Sequence, residues 1–253
     1  MDRKLYKVPF GREKSPDWVC PHCRKGVLRF VDGSFHSKER RHSREAHGHD
    51  AWDPDWIEYT YSGLLRCAND QCKEVVSTAG IGGVDVDVVY GPDGEAEQTW
   101  ADFFRPRYFE PPLAIIDLPK ECPVSVSEPL EESFRLFFCS PSSASNSVRI
   151  ALEALLTELG IKRFAVIGGK RRILTLHKRI GLLPAKYAEL RDLLFAIKWL
   201  GNAGSHAESA ISLDDVMDAY ELIDHVLQEL YAQRSKKAKE LAKAINKKKG
   251  PKA

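Results

Sequence analysis

Lys198, Asn202 and His206 recur at intervals of four residues, where one predicted helix ends ahead of the next. Gly201 and Gly204 interrupt this segment, and a glycine inside a helix costs roughly 1 kcal/mol relative to alanine. Such a cost predicts that the backbone bends here or that another group approaches it closely. Lysine and asparagine supply charge and hydrogen bonds, and histidine titrates near neutral pH. This combination favours holding a phosphate group and moving a proton.

Four of the six cysteines form two close pairs, Cys20 with Cys23 and Cys67 with Cys72. In a cytosolic protein such pairs are more typical of metal sites than of disulfides. Tetrahedral zinc takes four ligands, and a tight turn that carries two cysteines supplies half of them. We therefore predict one structural zinc ion, because a closed shell of four thiolates leaves no open position for catalysis. The alternative is a set of free buried thiols.

We predict structural roles for the two remaining cysteines and for a histidine-rich segment. Cys122 and Cys139 stand alone and are expected to fill core positions as small hydrophobic residues. Residues 36–50 contain four of the eight histidines and four basic residues. Because no strand or helix pattern fixes their spacing, a solvated loop is predicted there. The alternatives are a second metal site and a contact with nucleic acid or an acidic partner.

Composition places the chain among ordinary globular proteins with a basic C-terminal segment. Its 253 residues are 43% hydrophobic, and no run of about 18 apolar residues predicts a membrane span. No apolar segment follows the charged N-terminus, so a cytoplasmic location is expected. Residues 235–253 carry eight lysines and one glutamate, a charge of +7, which leaves −5 for the rest of a chain whose total is +2. We expect this tail to be poorly ordered or a frayed helix with nonspecific affinity for polyanions.

The periodicity of the apolar residues divides the chain into a strand-rich part and a helical part. An α+β fold is predicted, with a β-rich zinc ribbon and histidine- and arginine-rich insert over residues 1–105. A proline-rich connector follows over 106–123, then an all-α helical bundle over 124–234 and the lysine-rich tail over 235–253. Alternating residues predict strands near 56–67, 74–78 and 84–90, with a turn at 91–94.

Helix signals dominate the second part. Val148, Leu152, Leu155 and Leu159 form one apolar face, and Gly160 is the expected residue after the helix end. A short helix is predicted over 174–183, another around 190–197, and a last one that begins at Ser212. Asp215, three residues after that serine, completes a capping-box pattern.

Several motifs of residues 119–232 occur in the order of a known family. They are the Arg-x-x-x-Glu pair Arg149 and Glu153, the Gly-Asn-x-x-x-His run that ends at His206, and the helix that closes at Tyr231. In this order they resemble domain-of-unknown-function family 4145, a helical domain often seen with prokaryotic restriction and defence proteins. A cysteine-pair ribbon ahead of it is a common arrangement there. The family is similar to the HEPN superfamily, whose members include metal-independent ribonucleases with an Arg-x4–6-His motif at a dimer interface.

The resemblance implies a homodimer, a defence-system protein partner and a nucleic-acid or nucleotide ligand. His206 would act as general acid or base on a ribose hydroxyl, while Lys198 and Asn202 steady the phosphate. Lys198 stands where the family usually has arginine, and lysine lacks the planar fork that grips a phosphate with two hydrogen bonds. Arg149 and Glu153 would form a helix-surface ion pair or turn inward to orient this site. The structural alternative is that Asn202 and His206 cap helix ends.

Two functions from different classes follow from these residues. The preferred one is a binding and assembly module of a prokaryotic defence or stress system, which recognises nucleic acid or a nucleotide. The alternative is a metal-independent HEPN-type ribonuclease with His206 at a dimer interface. The lysine in place of arginine at position 198 favours the binding module.

Overall fold

The structure is a computed structural model, which describes residues 2–12, 14–90, 93–203, 211–231 and 241–247. The chain forms two compact units, which divide between Ala114 and Ile115. The first unit is rich in strands and the second is helical, so the predicted α+β class is confirmed. None of the helices in the described ranges has the length and apolar character that a membrane span requires.

The first unit, called the β unit, is a curled antiparallel sheet. Strand β3 pairs with β1, β2 and β4, and β4 pairs with β5. The strands are β1 (Leu28–Phe30), β2 (His36–Glu39), β3 (Glu58–Cys67), β4 (Val75–Tyr90) and β5 (Ala96–Glu110), with short helices α1 (Lys4–Lys7) and α2 (Arg41–Ala46) and a 3-10 turn (Pro54–Trp56).

Aromatic side chains form the core of the β unit. Along β3, every second residue from Tyr61 to Cys67 is buried and the residues between them are exposed, as the two-residue period of a strand requires. Phe10 pairs with Phe104 through backbone hydrogen bonds and contacts several rings edge-on. This cluster holds the curled sheet around one apolar centre.

Strand β5 extends to Glu110, so it enters the segment that the sequence predicts as a connector. Pro106 lies inside this strand, opposite Gly80, where the register between β4 and β5 shifts. Proline donates no ladder hydrogen bond and is tolerated at such irregularities and on edge strands. The proline therefore marks a bulge in an edge strand, which its presence in the sequence alone does not reveal.

Beyond Val84, β4 and β5 continue as a two-stranded ribbon, called the acidic ribbon (residues 84–102). Among the described residues no third strand pairs with this part of the sheet. Val86 lies opposite Trp100 on one face, and both are largely exposed. The ribbon contains no lysine or arginine and six carboxylates, Asp85, Asp87, Asp93, Glu95, Glu97 and Asp102.

The prediction of a solvated loop over residues 36–50 is wrong in part. Strand β2 pairs with β3 from His36 to Glu39, and helix α2 follows directly. The buried hydroxyl of Ser43 donates to Glu39 and accepts from the backbone N–H of Glu58, which ties the helix to the sheet. These long-range contacts fix a segment whose own sequence has no clear period.

The second unit, called the helical unit, packs its helices around one core. Helix α4 contacts α3, α6 and α7, and α6 also packs on α7 and α5. The elements are α3 (Val124–Leu136), α4 (Pro141–Glu158), α5 (Leu176–Gly181), α6 (Arg191–Ala203) and α7 (Leu213–Tyr231), with strands β6 (Phe164–Ile167) and β7 (Lys170–Ile173) and a 3-10 helix (Ala185–Leu190). Residues 241–247 are also helical.

The predicted ends of two helices agree with the structure. Helix α4 buries Val148, Leu152 and Leu155, and Gly160 follows it with a φ of +77°. At the start of α7, Ser212 donates its backbone N–H to Asp215 at 2.8 Å, and the Asp215 N–H donates to the Ser212 hydroxyl at 3.2 Å. These reciprocal bonds are a capping box.

Two buried polar groups join helices that are distant in sequence. Ser133 on α3 donates to the Ala144 carbonyl on α4 at 2.7 Å and accepts from the Tyr220 hydroxyl on α7 at 2.7 Å. Arg179 on α5 donates to the Glu153 carbonyl at 3.0 Å. Burial lowers the pKa of Arg179, and this bond satisfies a carbonyl near the end of α4.

The prediction for the lone cysteines is right for one and wrong for the other. Cys122 is buried, and burial raises the pKa of its thiol to about 11. Cys139 is exposed, with its Sγ at 3.5 Å from the Leu136 carbonyl. Its neighbours Phe137 and Phe138 take the core positions at the end of α3, which leaves the cysteine on the outside.

Candidate functional site

The four paired cysteines converge at one end of the β-unit sheet. The Sγ atoms of Cys20 and Cys72 are 3.8 Å apart, and those of Cys23 and Cys67 are 3.7 Å apart. All four lie within 4.8 Å of one another, and none is in a disulfide. A tetrahedron of thiolates about 2.3 Å from a zinc ion has edges of about 3.8 Å. The cluster therefore has the size that a four-coordinate metal site requires.

Each cysteine pair sits in the same kind of backbone turn. Cys20 N–H donates to the Gly26 carbonyl at 2.8 Å, and Cys67 N–H donates to the Glu74 carbonyl at 2.8 Å. The residue after the second cysteine has a positive φ in both turns, +56° at Arg24 and +54° at Lys73. Non-glycine residues rarely adopt this conformation, so the surrounding contacts hold both turns in place.

Backbone and side-chain N–H groups point at the sulfur atoms. Gly26 N–H donates to Cys23 Sγ at 3.3 Å, and Asn69 N–H donates to Cys67 Sγ at 3.4 Å. The Asn69 side chain donates to Cys23 Sγ at 3.7 Å. Such bonds favour the thiolate form, which is the form that binds metals.

The thiol pKa values differ because their surroundings differ. The Gly26 N–H, followed by that of Lys25, lowers the pKa of Cys23 to about 6. Burial raises the pKa of Cys20 to about 12 and also raises that of Cys67. A bound cation would draw all four into the thiolate form, since metal ligation releases the proton.

Gly26 leaves room for the cluster. A Cβ atom built at this glycine would lie 2.5 Å from Cys67 Sγ and 2.9 Å from the Asn69 Cβ. Real atoms do not approach so closely, so any side chain here would displace the sulfur. The four cysteines were predicted from the sequence, but Gly26 and Asn69 were not, because their roles depend on contacts between two turns that lie far apart in the chain.

In the helical unit, Lys198, Gly201 and Asn202 all lie on α6, which continues through Gly201 to Ala203. A Cβ built at Gly201 would lie 2.7 Å from the Arg149 Cβ on α4. The Ser145 hydroxyl on α4 also donates to the Leu200 carbonyl at 2.9 Å. Close approach of α4, rather than a bend, therefore accounts for this glycine.

Two cations meet at this contact. Lys198 is only 7% exposed, and burial followed by the charge of Arg149 lowers its pKa. Its Nζ lies 3.2 Å from the centre of the Trp199 ring, and in the described ranges no carboxylate pairs with it. Arg149 Nη2 lies 3.4 Å from Glu153 Oε1, while Arg149 Nε is buried without a hydrogen-bond partner in the described structure.

We call this arrangement of Arg149, Glu153, Lys198 and Asn202 the α4–α6 site. The first three lie together as described, and Asn202 is half-buried on the same helix as Lys198. His206 and Gly204 lie outside the described residues, as do residues 235–240 and 248–253 of the tail. The roles expected of His206 and of most of the tail therefore stay predictions.

The β6–β7 hairpin was not predicted from the sequence. Gly168 and Gly169 have φ values of +59° and +73° and form its two-residue turn. Two glycines between branched or aromatic runs are a hairpin signal, because a type I′ turn needs a positive φ at both positions. The basic residues beside them are solvent-exposed.

Comparisons with known proteins find a match to a family model in each part of the chain. Residues 8–109 match the family described as Domain of unknown function (DUF8608), and residues 131–248 match Domain of unknown function (DUF4145). The second match agrees with the resemblance drawn from the helical motifs. No curated protein and no solved structure matches the chain.

Proposed function

We propose that this protein is a binding and assembly module, in which a zinc ion stabilises the β unit and the helical unit binds nucleic acid or a nucleotide. The resemblance of the helical motifs supports a place in a prokaryotic defence or stress system, with a homodimer as the working form. The matched families carry no described activity, so the proposal rests on the chemistry of the two sites.

The zinc assignment is supported by the size and chemistry of the cysteine cluster. Four sulfur ligands at tetrahedral spacing suit zinc, and soft thiolates disfavour magnesium and calcium. Cys20, Cys23, Cys67 and Cys72 would fill the coordination shell, and the N–H groups of Gly26 and Asn69 would orient the sulfurs. Such an ion supplies folding free energy and leaves no position for a substrate.

One observation carries the proposal for the helical unit, namely the meeting of Arg149 and Lys198 at the α4–α6 contact. A buried lysine next to another cation is costly, because both burial and the charge of Arg149 disfavour the charged form of Lys198, and the described residues offer Glu153 alone as a counterion. A phosphate group would relieve this excess of positive charge and satisfy the buried Arg149 Nε.

Within this proposal each residue of the α4–α6 site has a separate task. Arg149 and Lys198 neutralise the phosphate, and Asn202 adds a hydrogen bond. Glu153 holds the Arg149 guanidinium through its ion pair at 3.4 Å. The close packing at Gly201 keeps the two helices near enough for the cations to act on the same group.

Binding of ATP and of a labelled single-stranded RNA to the full chain tests this assignment. We expect Arg149→Gln and Lys198→Gln each to weaken both ligands about tenfold, the loss of roughly one charge-assisted hydrogen bond. Lys178→Gln, an exposed cation on α5, is the control and should bind as the parent does. Equal affinity in all four proteins would refute the assignment.

The same proteins, together with a His206→Ala variant, distinguish binding from catalysis. If the protein cleaves the RNA in the presence of a chelator and His206→Ala abolishes that cleavage, the ribonuclease function replaces the binding module. Intact RNA in every sample, with binding that depends on Arg149 and Lys198, supports the module.

A further inference from the structure

The segment from Lys162 to Ile173 protrudes from the helical unit as a hairpin with a high positive charge, called here the basic hairpin. It carries five cations, Lys162, Arg163, Lys170, Arg171 and Arg172. No aspartate or glutamate occurs in the sequence between Glu158 and Glu189. Within the described part of the chain, none of the five pairs with a carboxylate. All five are solvent-exposed, so their charge is available to a partner.

The strand register separates the two faces of the hairpin. Lys170 lies opposite Ile167 and Arg172 opposite Ala165, while Leu174 N–H donates to the Arg163 carbonyl at 2.8 Å. Residues opposite each other share a face, so Arg163, Lys170 and Arg172 share one face. We call this the basic face.

The other face is mostly apolar. Phe164, Val166 and Ile173 are exposed there, and the Arg171 guanidinium lies 4.1 Å from the centre of the Phe164 ring. This cation–π contact holds Arg171 against the hairpin. The two faces therefore offer different chemistry and can be tested separately.

We propose that the basic hairpin binds double-stranded DNA through its basic face. This inference concerns a surface other than the α4–α6 site and does not rest on the function proposed for that site. The major groove of B-form DNA is about 12 Å wide and admits a two-stranded β-ribbon. A ribbon of four residues per strand is about 13 Å long, and three cations along it match the close spacing of phosphates that flank the groove.

Membrane binding fits this surface less well. Lys170 and Arg171 lie directly opposite Ile167 and Val166, next to the glycine turn. Insertion of the apolar tip into a bilayer would carry these cations with it, which is costly. A second copy of the hairpin is also disfavoured, because five unpaired positive charges would meet five others.

The experiment measures the affinity of the full chain for a labelled 20-base-pair DNA duplex as a function of salt concentration. The variant of the basic face is Arg163→Gln, Lys170→Gln and Arg172→Gln. The slope of log K against log salt is about −0.9 for each phosphate contact, so the loss of three contacts should make the slope less negative by roughly 3. We also expect the affinity at low salt to fall by at least about tenfold.

Two control variants test whether the effect depends on the basic face itself. Val166→Thr with Ile173→Thr changes the apolar face of the same hairpin and should leave slope and affinity unchanged. Lys14→Gln, Arg66→Gln and Lys120→Gln remove the same charge at exposed positions elsewhere and should also bind DNA as the parent does.

An unchanged slope in the basic-face variant would overturn the proposal, and so would equal losses in the charge-matched control. Tighter binding to an RNA duplex than to DNA, or binding to anionic phosphatidylserine vesicles without DNA binding, would also overturn it. Arg149→Gln and Lys198→Gln should retain the DNA slope, and the basic-face variant should retain ATP binding. Failure at one surface is thereby distinguished from failure at the other.

Discussion

Gly201 lies within helix α6 and packs against α4, so helix propensity and steric fit have opposite effects on a substitution there. Alanine would gain roughly 1 kcal/mol in helix propensity. Its Cβ, however, would lie 2.7 Å from the Arg149 Cβ, an atom of the α4 side chain that cannot swing away. Overpacking of this kind costs about 1–3 kcal/mol, so the clash outweighs the propensity.

We therefore expect Gly201→Ala to lower the free energy of unfolding by about 1–2 kcal/mol, measured by urea denaturation followed through helical circular dichroism. Gly181→Ala is the matched control, since that glycine ends α5 and a Cβ there meets no atom within 4 Å. It should be neutral or slightly stabilising. A gain of stability in Gly201→Ala would show that the two helices separate easily.

Gly26 at the cysteine cluster is likewise a glycine at which an added Cβ would clash with a neighbouring atom. Gly26→Ala would place a methyl group 2.5 Å from Cys67 Sγ, so the sulfur must move. We expect zinc affinity to fall about tenfold or more, measured by competition with a chromogenic chelator, because supporting contacts commonly contribute 10–100-fold to metal affinity. Gly11→Ala, where a Cβ meets nothing within 4 Å, should bind zinc as the parent does. Equal affinities would show that the cluster adapts.

At the scale of elements, the capping box makes the start of α7 testable. Ser212→Ala removes both side-chain bonds to Asp215 and should cost roughly 1 kcal/mol of stability. The Ser212 hydroxyl and N–H lower the pKa of Asp215, so the carboxylate stabilises the folded state above its unfolded pKa. That contribution is lost as the pH falls below about 4. The difference in stability between parent and variant, measured at pH 7 and at pH 3, should therefore shrink at the lower pH.

Elements with local signals were predictable from sequence, and elements fixed by distant contacts were not. The face of α4 and the caps at Gly160 and Ser212 are encoded within a few residues. Strand β5 and the segment of β2 and α2 depend on pairing with β3 and β4, and Pro106 concealed the strand. The basic hairpin was not predicted, although Gly168 and Gly169 are a local signal for it.

At the scale of the whole molecule, the cysteine cluster lies in one unit alone. All four cysteines lie in the unit that ends at Ala114, and the Arg24 guanidinium donates to the Ala114 carbonyl at 2.6 Å. The core of the helical unit contains none of them. Metal loss should therefore affect the two units differently.

Removal of zinc with a strong chelator should unfold the β unit and leave the helical unit folded. Near-ultraviolet dichroism of Trp18, which is buried in the β-unit core, should be lost while most helical signal is retained. Metal analysis of the purified protein should give one zinc per chain. A protein without metal that keeps its Trp18 signal would refute the structural role.

The cysteine cluster and the α4–α6 site differ in how far they could be predicted from the sequence. The spacing of the two cysteine pairs was enough to predict that they come together, and the structure clusters all four residues. The α4–α6 site needs a contact between helices about fifty residues apart, and the excess of cations there is visible only once Arg149 and Lys198 are brought together.

The acidic ribbon has two strand edges without a partner among the described residues and an apolar face at Val86 and Trp100. Exposed edges of this kind recruit other strands and start aggregation. Carboxylates along Asp85, Asp87 and Glu97, with no cation between them, make one ribbon repel another. The negative charge of the acidic ribbon therefore opposes self-association at high protein concentration. This repulsion allows a long, solvent-exposed strand pair to exist without nucleating aggregation.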